Sequence, residues 1–203
     1  MMSPAYPPIV LASQSPRRAE LLQLLGLRFE VAPADIDETW RKGENALAHA
    51  ERLAREKARV IANQRSDALV IGSDTVVVID RMVMGKPTSA DNAVEMLMRL
   101  QGRAHRVATG VAVAAPNGIL LSAVEVVRVM FRPFDRELAE AYVSTGEPMD
   151  KAGAYGIQGH GSAIVERIAG DYFAVMGLPI GRTLALLKAA GWQYNFRGLE
   201  PIP

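Results

Sequence analysis

The stretch that decides the fold spans residues 9–27 and reads IVLASQSPRRAELLQLLGL. Its first four residues form a short apolar run, which is typical of a buried strand. Residues 16–25 have the amphipathic pattern of a helix that Gly26 ends. Ser15 has the residue type and position of an N-cap, and Pro16 suits the first helical position. The stretch therefore predicts a strand, a tight turn and a helix near the start of the chain.

Two arginines occupy the first turn of this predicted helix. Arg17 and Arg18 stand where the helix dipole disfavours cations and where most helices place Asp or Glu. One interpretation is an anion site, in which free backbone N–H groups and guanidinium groups hold a phosphate. The other is a surface helix start with two solvated arginines. The local pattern leaves both interpretations open.

The composition excludes several kinds of site. The 203-residue chain has no cysteine, which excludes disulfides, thiolate zinc ligands and cysteine nucleophiles. A net charge of +1 gives no strong field toward nucleic acid or membranes, so an anion site must be local. With 49% hydrophobic and 22% charged residues, the chain resembles an ordinary globular enzyme.

No targeting or membrane segment is predicted. Residues 1–10 lack the basic and apolar regions of a signal peptide. The longest uncharged run, residues 107–124, contains Pro116-Asn117-Gly118, which indicates a hairpin rather than a membrane span. We therefore expect a cytoplasmic protein with no membrane partner. The basic residues form no aromatic-interleaved stripe, so we expect no nucleic-acid partner.

The remaining pattern predicts a mixed α/β fold. Strands and helices alternate, but the long hairpin requires antiparallel pairs, which favours a mixed sheet over a parallel one. Predicted strands cover residues 9–12, 29–32, 69–79, 107–115, 119–132 and 162–168. Predicted helices cover residues 16–25, 44–62, 89–100, 135–144 and 178–190. Residues 146–161 are predicted to be rich in loops, and residues 193–203 to be a weakly ordered tail.

Two charged residues stand out within apolar patterns. Asp74 lies in the most β-prone run of the chain, where an ionised carboxylate is costly unless it is paired or binds a metal. Either Asp74 belongs to a functional site, as the neighbouring Gly72 and Thr75 suggest, or a bulge lets it reach water. Lys57 lies at the edge of the apolar stripe of the second helix. It either extends along the surface toward water or points into a cleft.

Cations, carboxylates and glycine-rich backbone recur at the edges of the predicted elements. Polyphosphate chemistry needs cations for the oxygens, carboxylates for a hard divalent metal, and one carboxylate to accept a proton from water. The candidates are Arg17, Arg18, Lys57, Lys86, Asp37, Glu38, Asp74 and the segment 153–161. The sequence contains neither a P-loop nor a G-x-S-x-G motif, and its glycines do not follow the Rossmann order. The three histidines are scattered, which argues against a histidine-rich zinc site.

These motifs, taken in order, resemble the Maf-type nucleoside triphosphate pyrophosphatases. Residues 13–18 (SQSPRR) match the opening motif of that family. The match continues through residues 53–58 (LAREKA), 72–76 (GSDTV), 85–87 (GKP), 150–159 (DKAGAYGIQG) and 175–179 (VMGLP). The resemblance covers about residues 9–190. It implies one domain over residues 1–203, with two lobes around a central cleft and a fold like that of inosine triphosphatases.

The resemblance implies hydrolysis of a nucleoside triphosphate to the monophosphate and pyrophosphate with a divalent metal, Mg²⁺ or Mn²⁺. Asp74 would be the proton acceptor, and Arg17, Thr75 and Gln158 would set substrate preference. The 7-methyl-GTP branch of the family carries S-P-W-R-R, a Gln after the strand Asp, and S-E-G. This chain has Arg17, Thr75 and Ile157-Gln158-Gly159 and therefore resembles the dTTP/UTP branch, whose members often accept modified pyrimidine triphosphates.

These residues suggest a mechanism. Glu38 and Asp74 would hold the metal, although Asp37 could replace Glu38, and either Asp74 or the metal would activate the water. Arg17, Arg18, Lys57 and Lys86 would bind the triphosphate, as would Ser13. The Gln158 amide offers the donor and the acceptor that match uracil or thymine. Tyr155 is either a stacking face for the base or a packing residue.

The alternatives are a 7-methyl-GTP pyrophosphatase and a nucleotide-binding regulator of division without turnover. A homodimer is an expectation from the family alone.

Overall fold

The computed structural model describes residues 6–203, so half of the N-terminal segment predicted not to be a signal peptide lies outside it. The chain divides into two compact units. Unit 1 comprises the described part of Met1–Asp74 together with Thr109–Glu125 and Gly177–Pro203. Unit 2 comprises Thr75–Ala108 and Val126–Met176.

Every predicted strand and helix is present in the predicted order, but the structure also has a short helix at Tyr172–Met176 and short strands at Met82–Met84, Trp192–Tyr194 and Leu199–Pro201, which are not among the predicted elements. The helices are α1 (Pro16–Leu24), α2 (Ala46–Gln64), α3 (Ala90–Leu100), α4 (Arg136–Ser144), α5 (Tyr172–Met176) and α6 (Ile180–Ala189). The strands are β1 (Ile9–Leu11), β2 (Phe29–Val31), β3 (Leu69–Ile79), β4 (Met82–Met84), β5 (Ala104–Ala114), β6 (Leu120–Phe131), β7 (Val165–Ala169), β8 (Trp192–Tyr194) and β9 (Leu199–Pro201). The loop-rich region contains three 3₁₀ turns, at Glu147–Asp150, Ala152–Ala154 and Gly159–Ile164.

The main sheet is mixed, as predicted. Within residues 6–203 its strand order is β2-β1-β3-β5-β6-β7, and β4 pairs with β3. β1 is parallel to β2 and β3, with Ile9 opposite Phe29 and Leu69. β3–β4 and β6–β7 are antiparallel. The predicted hairpin joins β5 to β6, and its turn is closed by the Gly118 N–H donating to the Ala115 carbonyl.

Capping side chains explain where several helices begin. Ser89 and Asp135 accept hydrogen bonds from backbone N–H groups at the starts of α3 and α4, as their sequence positions predict. The cap of α2 is Asn45, so this helix begins two residues later than predicted. Ser15 is at the N-cap position of α1, but its side chain makes no capping hydrogen bond.

The C-terminal residues correct one prediction. Residues 193–203 were predicted to be a weakly ordered tail, but β8 and β9 pair as an antiparallel hairpin, with Trp192 opposite Pro201. The Tyr194 hydroxyl donates to the Leu25 carbonyl at 2.7 Å. A contact to a residue so distant in sequence has no signature in the local pattern, which is why the tail looked unstructured. No helix within residues 6–203 is both long and apolar enough to cross a membrane.

Each unit has its own apolar core. In unit 1, α2 packs its small residues on β1, β3 and β5 around Val10, Ala54, Val70 and Ala112. In unit 2, α3 and α4 contribute to a larger cluster, which the aromatic ring of Phe131 joins with full burial.

His105 and Tyr155 are polar members of the unit 2 core. His105 is 2% exposed, and its Nε2 lies 2.8 Å from the Tyr155 hydroxyl. Both rings also stand edge-on to Phe131. Tyr155 is therefore a packing residue in this structure, which decides between the two interpretations of its role.

Burial makes His105 a source of acid sensitivity. Burial lowers the pKa of His105 from 6.5 to about 4, with a smaller opposing effect from the Arg103 backbone. Between these values the unfolded chain binds a proton that the folded chain does not, so stability falls as the pH drops from 6.5 toward 4. We expect a loss of about 3 kcal/mol from this residue, since each pKa unit corresponds to ~1.4 kcal/mol.

Urea unfolding at pH 7 and pH 4.5 measures this effect. His105→Gln should flatten the pH dependence relative to the wild type, whereas the exposed His160→Gln should leave it unchanged. Equal pH dependence in the wild type and His105→Gln would contradict the assignment.

Candidate active site

Asp74 lies where β3 leaves unit 1, and it is not exposed by a bulge. It is 8% exposed, and its Oδ1 accepts a hydrogen bond from Lys57 Nζ at 2.7 Å. The same ammonium lies 2.7 Å from Glu38 Oε1. Lys57 is itself 8% exposed, so its alkyl chain does not extend to open solvent. The structure therefore brings together one buried cation and two of the predicted metal-binding carboxylates.

Two glycines allow α2 to bring Lys57 this close to the strands. A Cβ on Gly72 of β3 would stand 2.3 Å from the Ala54 carbonyl oxygen, and one on Gly110 of β5 would stand 2.3 Å from that of Ala50. Such contacts are impossible, so only glycine lets the helix backbone rest on these strands. This close packing explains how a lysine on a mostly apolar helix face meets a strand carboxylate.

The acidic segment after β2 separates the roles of Asp37 and Glu38. The Asp37 carboxylate accepts hydrogen bonds from the Thr39 backbone N–H and hydroxyl, and these bonds lower its pKa. Glu38, by contrast, forms the ion pair with Lys57. Geometry thus favours Glu38 over Asp37 as the partner of Asp74, which the sequence left open.

A second charged cluster, which sequence reasoning missed, holds this segment in place. Arg52 of α2 donates to both carboxylate oxygens of Glu44, at 2.6 and 2.9 Å, and to the Thr39 carbonyl at 3.0 Å. The Arg52 hydrogen bond is the largest cause that lowers the pKa of Glu44. The His49 ring also contacts Glu44 and stacks on Trp40 at 3.6 Å between centroids. The sequence feature that could have indicated this cluster is Glu44, which directly precedes Asn45, the capping residue of α2.

The turn between β1 and α1 is organised by Arg18 and Ser13. Arg18 donates from Nη1 to the Ser13 hydroxyl at 2.9 Å and from Nε to the Gly177 carbonyl at 2.8 Å. The Ser13 hydroxyl also accepts from the Ser15 N–H. Burial lowers the pKa of Arg18, and the nearby charge of Asp74 partly opposes this. Arg18 therefore shapes the turn, whatever it binds in addition.

The same carbonyl of Gly177 links the turn to β3. The fully buried Ser73 hydroxyl lies 2.8 Å from both the Gly177 and the Gly110 carbonyl oxygens. Ser73 precedes Asp74, so the backbone that carries the carboxylate is fixed from both sides. No group of three or more His, Cys, Asp or Glu side chains arranged for a metal occurs within residues 6–203.

Thr75, Lys86 and Gln158 belong to unit 2. The Gly153 N–H donates to the Gly85 carbonyl at 3.0 Å, which places the segment bearing Lys86 beside the glycine-rich segment. Within residues 6–203, neither the Lys86 ammonium nor the Gln158 amide forms a hydrogen bond or ion pair. Lys86 is exposed and Gln158 half-buried, so both side chains have polar groups that a ligand could use. The predicted cleft between lobes stays a prediction.

The family resemblance is confirmed by comparison with known proteins. Residues 8–190 match the family described as Maf-like protein. This match covers most of the chain, and the chain belongs to this family.

Relatives of similar length have one activity in their names. The dTTP/UTP pyrophosphatase of Symbiobacterium thermophilum is 47% identical over 184 residues, 91% of this chain and 94% of that protein. Another, from Moorella thermoacetica, is 50% identical and covers 90% of this chain and 95% of its own. A third, from Yersinia pestis, is 46% identical over 193 residues, 95% of this chain and 98% of that protein.

Similarity to solved structures is lower. The Ham1 protein of Staphylococcus aureus gives a TM-score of 0.44 at 16% identity, covering 61% of this chain and 71% of the other.

Proposed function

We propose that this protein hydrolyses dTTP and UTP to the nucleoside monophosphate and pyrophosphate. The observation that carries the proposal is the buried Asp74 carboxylate held 2.7 Å from Lys57, in the unit whose α1 carries Arg17 and Arg18 in its first turn. The names of the Maf-family relatives at 44–50% identity support this substrate class.

The chemistry requires a base, cations and a stable leaving group. Water attacks the α-phosphorus, its proton passes to Asp74, and the bond from the α-phosphorus to the bridging oxygen breaks as pyrophosphate leaves. Lys57 and Arg17 would neutralise the triphosphate oxygens, and Lys86 would stabilise the charge that develops on pyrophosphate. Arg18 and Ser13 would contribute mainly by fixing the backbone turn that meets the phosphates.

The carboxylates present fit a hard divalent cation. Mg²⁺ is commonly held by one or two carboxylates together with substrate phosphate oxygens, and Glu38 and Asp74 both reach the position of one ammonium. These two residues would hold Mg²⁺ or Mn²⁺. When bound, the metal would neutralise charge on the triphosphate, a role that Lys57 cannot fill alone.

Base selection would depend on unit 2. Gln158 presents an amide, which can donate to O4 and accept from N3–H of uracil or thymine. Thr75 would add to the preference, as in the dTTP/UTP branch that the motif resembles.

Pyrophosphate release from a nucleotide panel tests the proposal. The panel contains dTTP, UTP, CTP, GTP and 7-methyl-GTP, each with Mg²⁺, with Mn²⁺ and with a chelator. Metal-dependent release from dTTP and UTP, with little from guanine nucleotides, is the expected result. Preference for 7-methyl-GTP would overturn the substrate assignment, and binding without release would overturn the enzyme assignment.

Gln158→Glu should weaken the pyrimidine preference, because the carboxylate loses the amide donor. We expect kcat/KM for UTP to fall about tenfold or more, the cost of one hydrogen bond of ~1.4 kcal/mol. Gln193→Glu, which adds the same charge at an exposed position, is the matched control. Unchanged relative rates across the nucleotides would remove Gln158 from base recognition.

A further inference from the structure

Glu147 and Tyr142 form a hydrogen-bonded pair beneath the segment that carries Gln158. The Glu147 carboxylate accepts from the Tyr142 hydroxyl at 2.8 Å. It also accepts from the backbone N–H groups of His160 and Gly161, at 2.8 and 3.0 Å. All three donors point at one side chain, so the protein itself uses most of the roughly four acceptor sites of this carboxylate.

The same pair holds the other end of the segment. The Tyr142 hydroxyl oxygen accepts from the Gly156 N–H at 3.0 Å. Glu147 and Tyr142 therefore anchor the backbone on both sides of Gln158, at Gly156 and at residues 160 and 161. Tyr142 is 6% exposed, so its ring is anchored in the unit 2 core.

The fit between the pair and the segment is tight. A Cβ on Gly161 would lie 2.5 Å from the Tyr142 hydroxyl, and one on Gly159 would lie 2.6 Å from Glu147 Oε2. Gly159 also has φ +63°, which favours glycine. Contact with Glu147 thus explains Gly159, the last glycine of the motif, whereas Gly161, just after the motif, is explained by the Gly156 carbonyl oxygen together with the Tyr142 hydroxyl.

The carboxylate is held in its ionised form. Burial raises the pKa of Glu147, but the hydrogen bonds from Gly161, Tyr142 and His160 outweigh it and lower the pKa overall. A charged acceptor of three hydrogen bonds makes a stiffer anchor than a neutral one, because charge-assisted bonds are about twice as strong.

We propose that Glu147 and Tyr142 are positioning residues for nucleobase selection, acting by holding the segment 156–161 so that the Gln158 amide is presented in one orientation. The inference rests on the proposed function, since it gives Gln158 the base to recognise. Neither residue touches the reacting atoms, so the expected effect is on KM and on preference rather than on the chemical step.

Two variants test the pair at different severity. Glu147→Gln keeps the shape but replaces one acceptor oxygen with a donor that faces a backbone N–H. Tyr142→Phe removes only the hydroxyl. We expect KM for UTP and dTTP to rise at least fivefold in both, with kcat within threefold of the wild type, and the preference for UTP over CTP to fall in parallel. The control is Glu140→Gln, which replaces an exposed carboxylate on α4, the helix that carries Tyr142. It should change neither KM nor the preference for UTP over CTP.

A double-mutant cycle separates positioning from stability. If Glu147 and Tyr142 act through Gln158, then neither Glu147→Gln nor Tyr142→Phe should cause a further loss of the preference for UTP over CTP in a Gln158→Ala background. Additive losses, an unchanged preference, or a fall in kcat alone would overturn the inference. Failure of the proposed function is distinct, because the wild type itself would then release no pyrophosphate from dTTP or UTP. Thermal unfolding identifies a variant that fails to fold, and Tyr142→Phe then decides.

Discussion

Asp74→Asn is expected to reduce pyrophosphate release from dTTP and UTP by about 10³-fold, within the range for loss of a general base. The substitution keeps the shape of the side chain and an oxygen that can accept a hydrogen bond from Lys57 Nζ. In the wild type this nitrogen lies 2.7 Å from Asp74 Oδ1. It removes the group that would take the proton from water. We therefore expect folding and nucleotide binding to persist while turnover is lost.

The measurement combines three readouts. Steady-state pyrophosphate release gives turnover, calorimetry with a non-hydrolysable UTP analogue gives binding, and circular dichroism gives the fold. Some stability should be lost, because a buried ammonium keeps only Glu38 as an ionised partner. The control is Asp37→Asn, whose carboxylate accepts hydrogen bonds from Thr39. We expect its turnover to stay within about threefold of the wild-type value, as for a surface side chain outside the chemistry. Full activity in Asp74→Asn would remove Asp74 from the mechanism.

Among the variants proposed for this protein, Gly72→Ala is expected to cause the largest loss of folding stability. The added methyl would stand 2.3 Å from the Ala54 carbonyl oxygen and 2.8 Å from the Ala58 backbone nitrogen, both of them helix backbone that cannot rotate away. α2 must shift or β3 must bend, and overpacking of this severity costs about 3 kcal/mol. For a chain of this size we expect the melting temperature to fall by roughly 10 °C.

The matched control is Gly181→Ala. A Cβ on Gly181 of α6 meets nothing within 4 Å, and alanine favours helix, so this variant should be neutral or more stable. Activity of Gly72→Ala, measured well below its melting temperature, should also fall, because a shifted α2 moves Lys57 from Asp74. A melting temperature within about 2 °C of the wild type, less than 1 kcal/mol for a chain of this length, would contradict the packing argument.

Local chemistry explains which elements the sequence predicted well. Ser89 and Asp135 are capping residues whose side chains bond to the next turn, so their neighbours in sequence are their neighbours in space. The Pro-Asn-Gly turn likewise closes over a few residues. The prediction was weaker at the start of α1, where the Ser15 side chain makes no capping hydrogen bond. There the Ser13 hydroxyl accepts from Arg18, and Arg18 also donates to the distant Gly177 carbonyl, so this turn depends on a contact that is not local.

The sequence predicted which residues belong to the candidate site but not how their side chains are arranged in space. A carboxylate within an apolar strand requires a partner, and the amphipathic pattern of α2 placed Lys57 at the edge of its buried face. That the partner of Asp74 is Lys57 follows from helix packing on two glycines 38 residues apart in sequence, Gly72 and Gly110. That Glu38 rather than Asp37 shares Lys57 follows from the path of the segment after β2, in which Thr39 binds the Asp37 carboxylate instead. The roles of Glu147 and Tyr142 were missed because they depend on contacts with residues 156, 160 and 161, which local sequence patterns do not indicate.

By itself, then, the sequence determined the order of the predicted strands and helices, the mixed sheet, the family and the set of residues that can take part in catalysis or binding. These depend on periodicity, capping and motifs, which act over a few residues. Only the tertiary structure decided that Lys57 joins Asp74 to Glu38, that Arg18 and Ser73 converge on Gly177, that Glu147 anchors the segment around Gln158, and that the C-terminal residues form a hairpin. Each of these is a contact between residues distant in sequence or a side-chain orientation, and such contacts are set by packing rather than by local backbone preference.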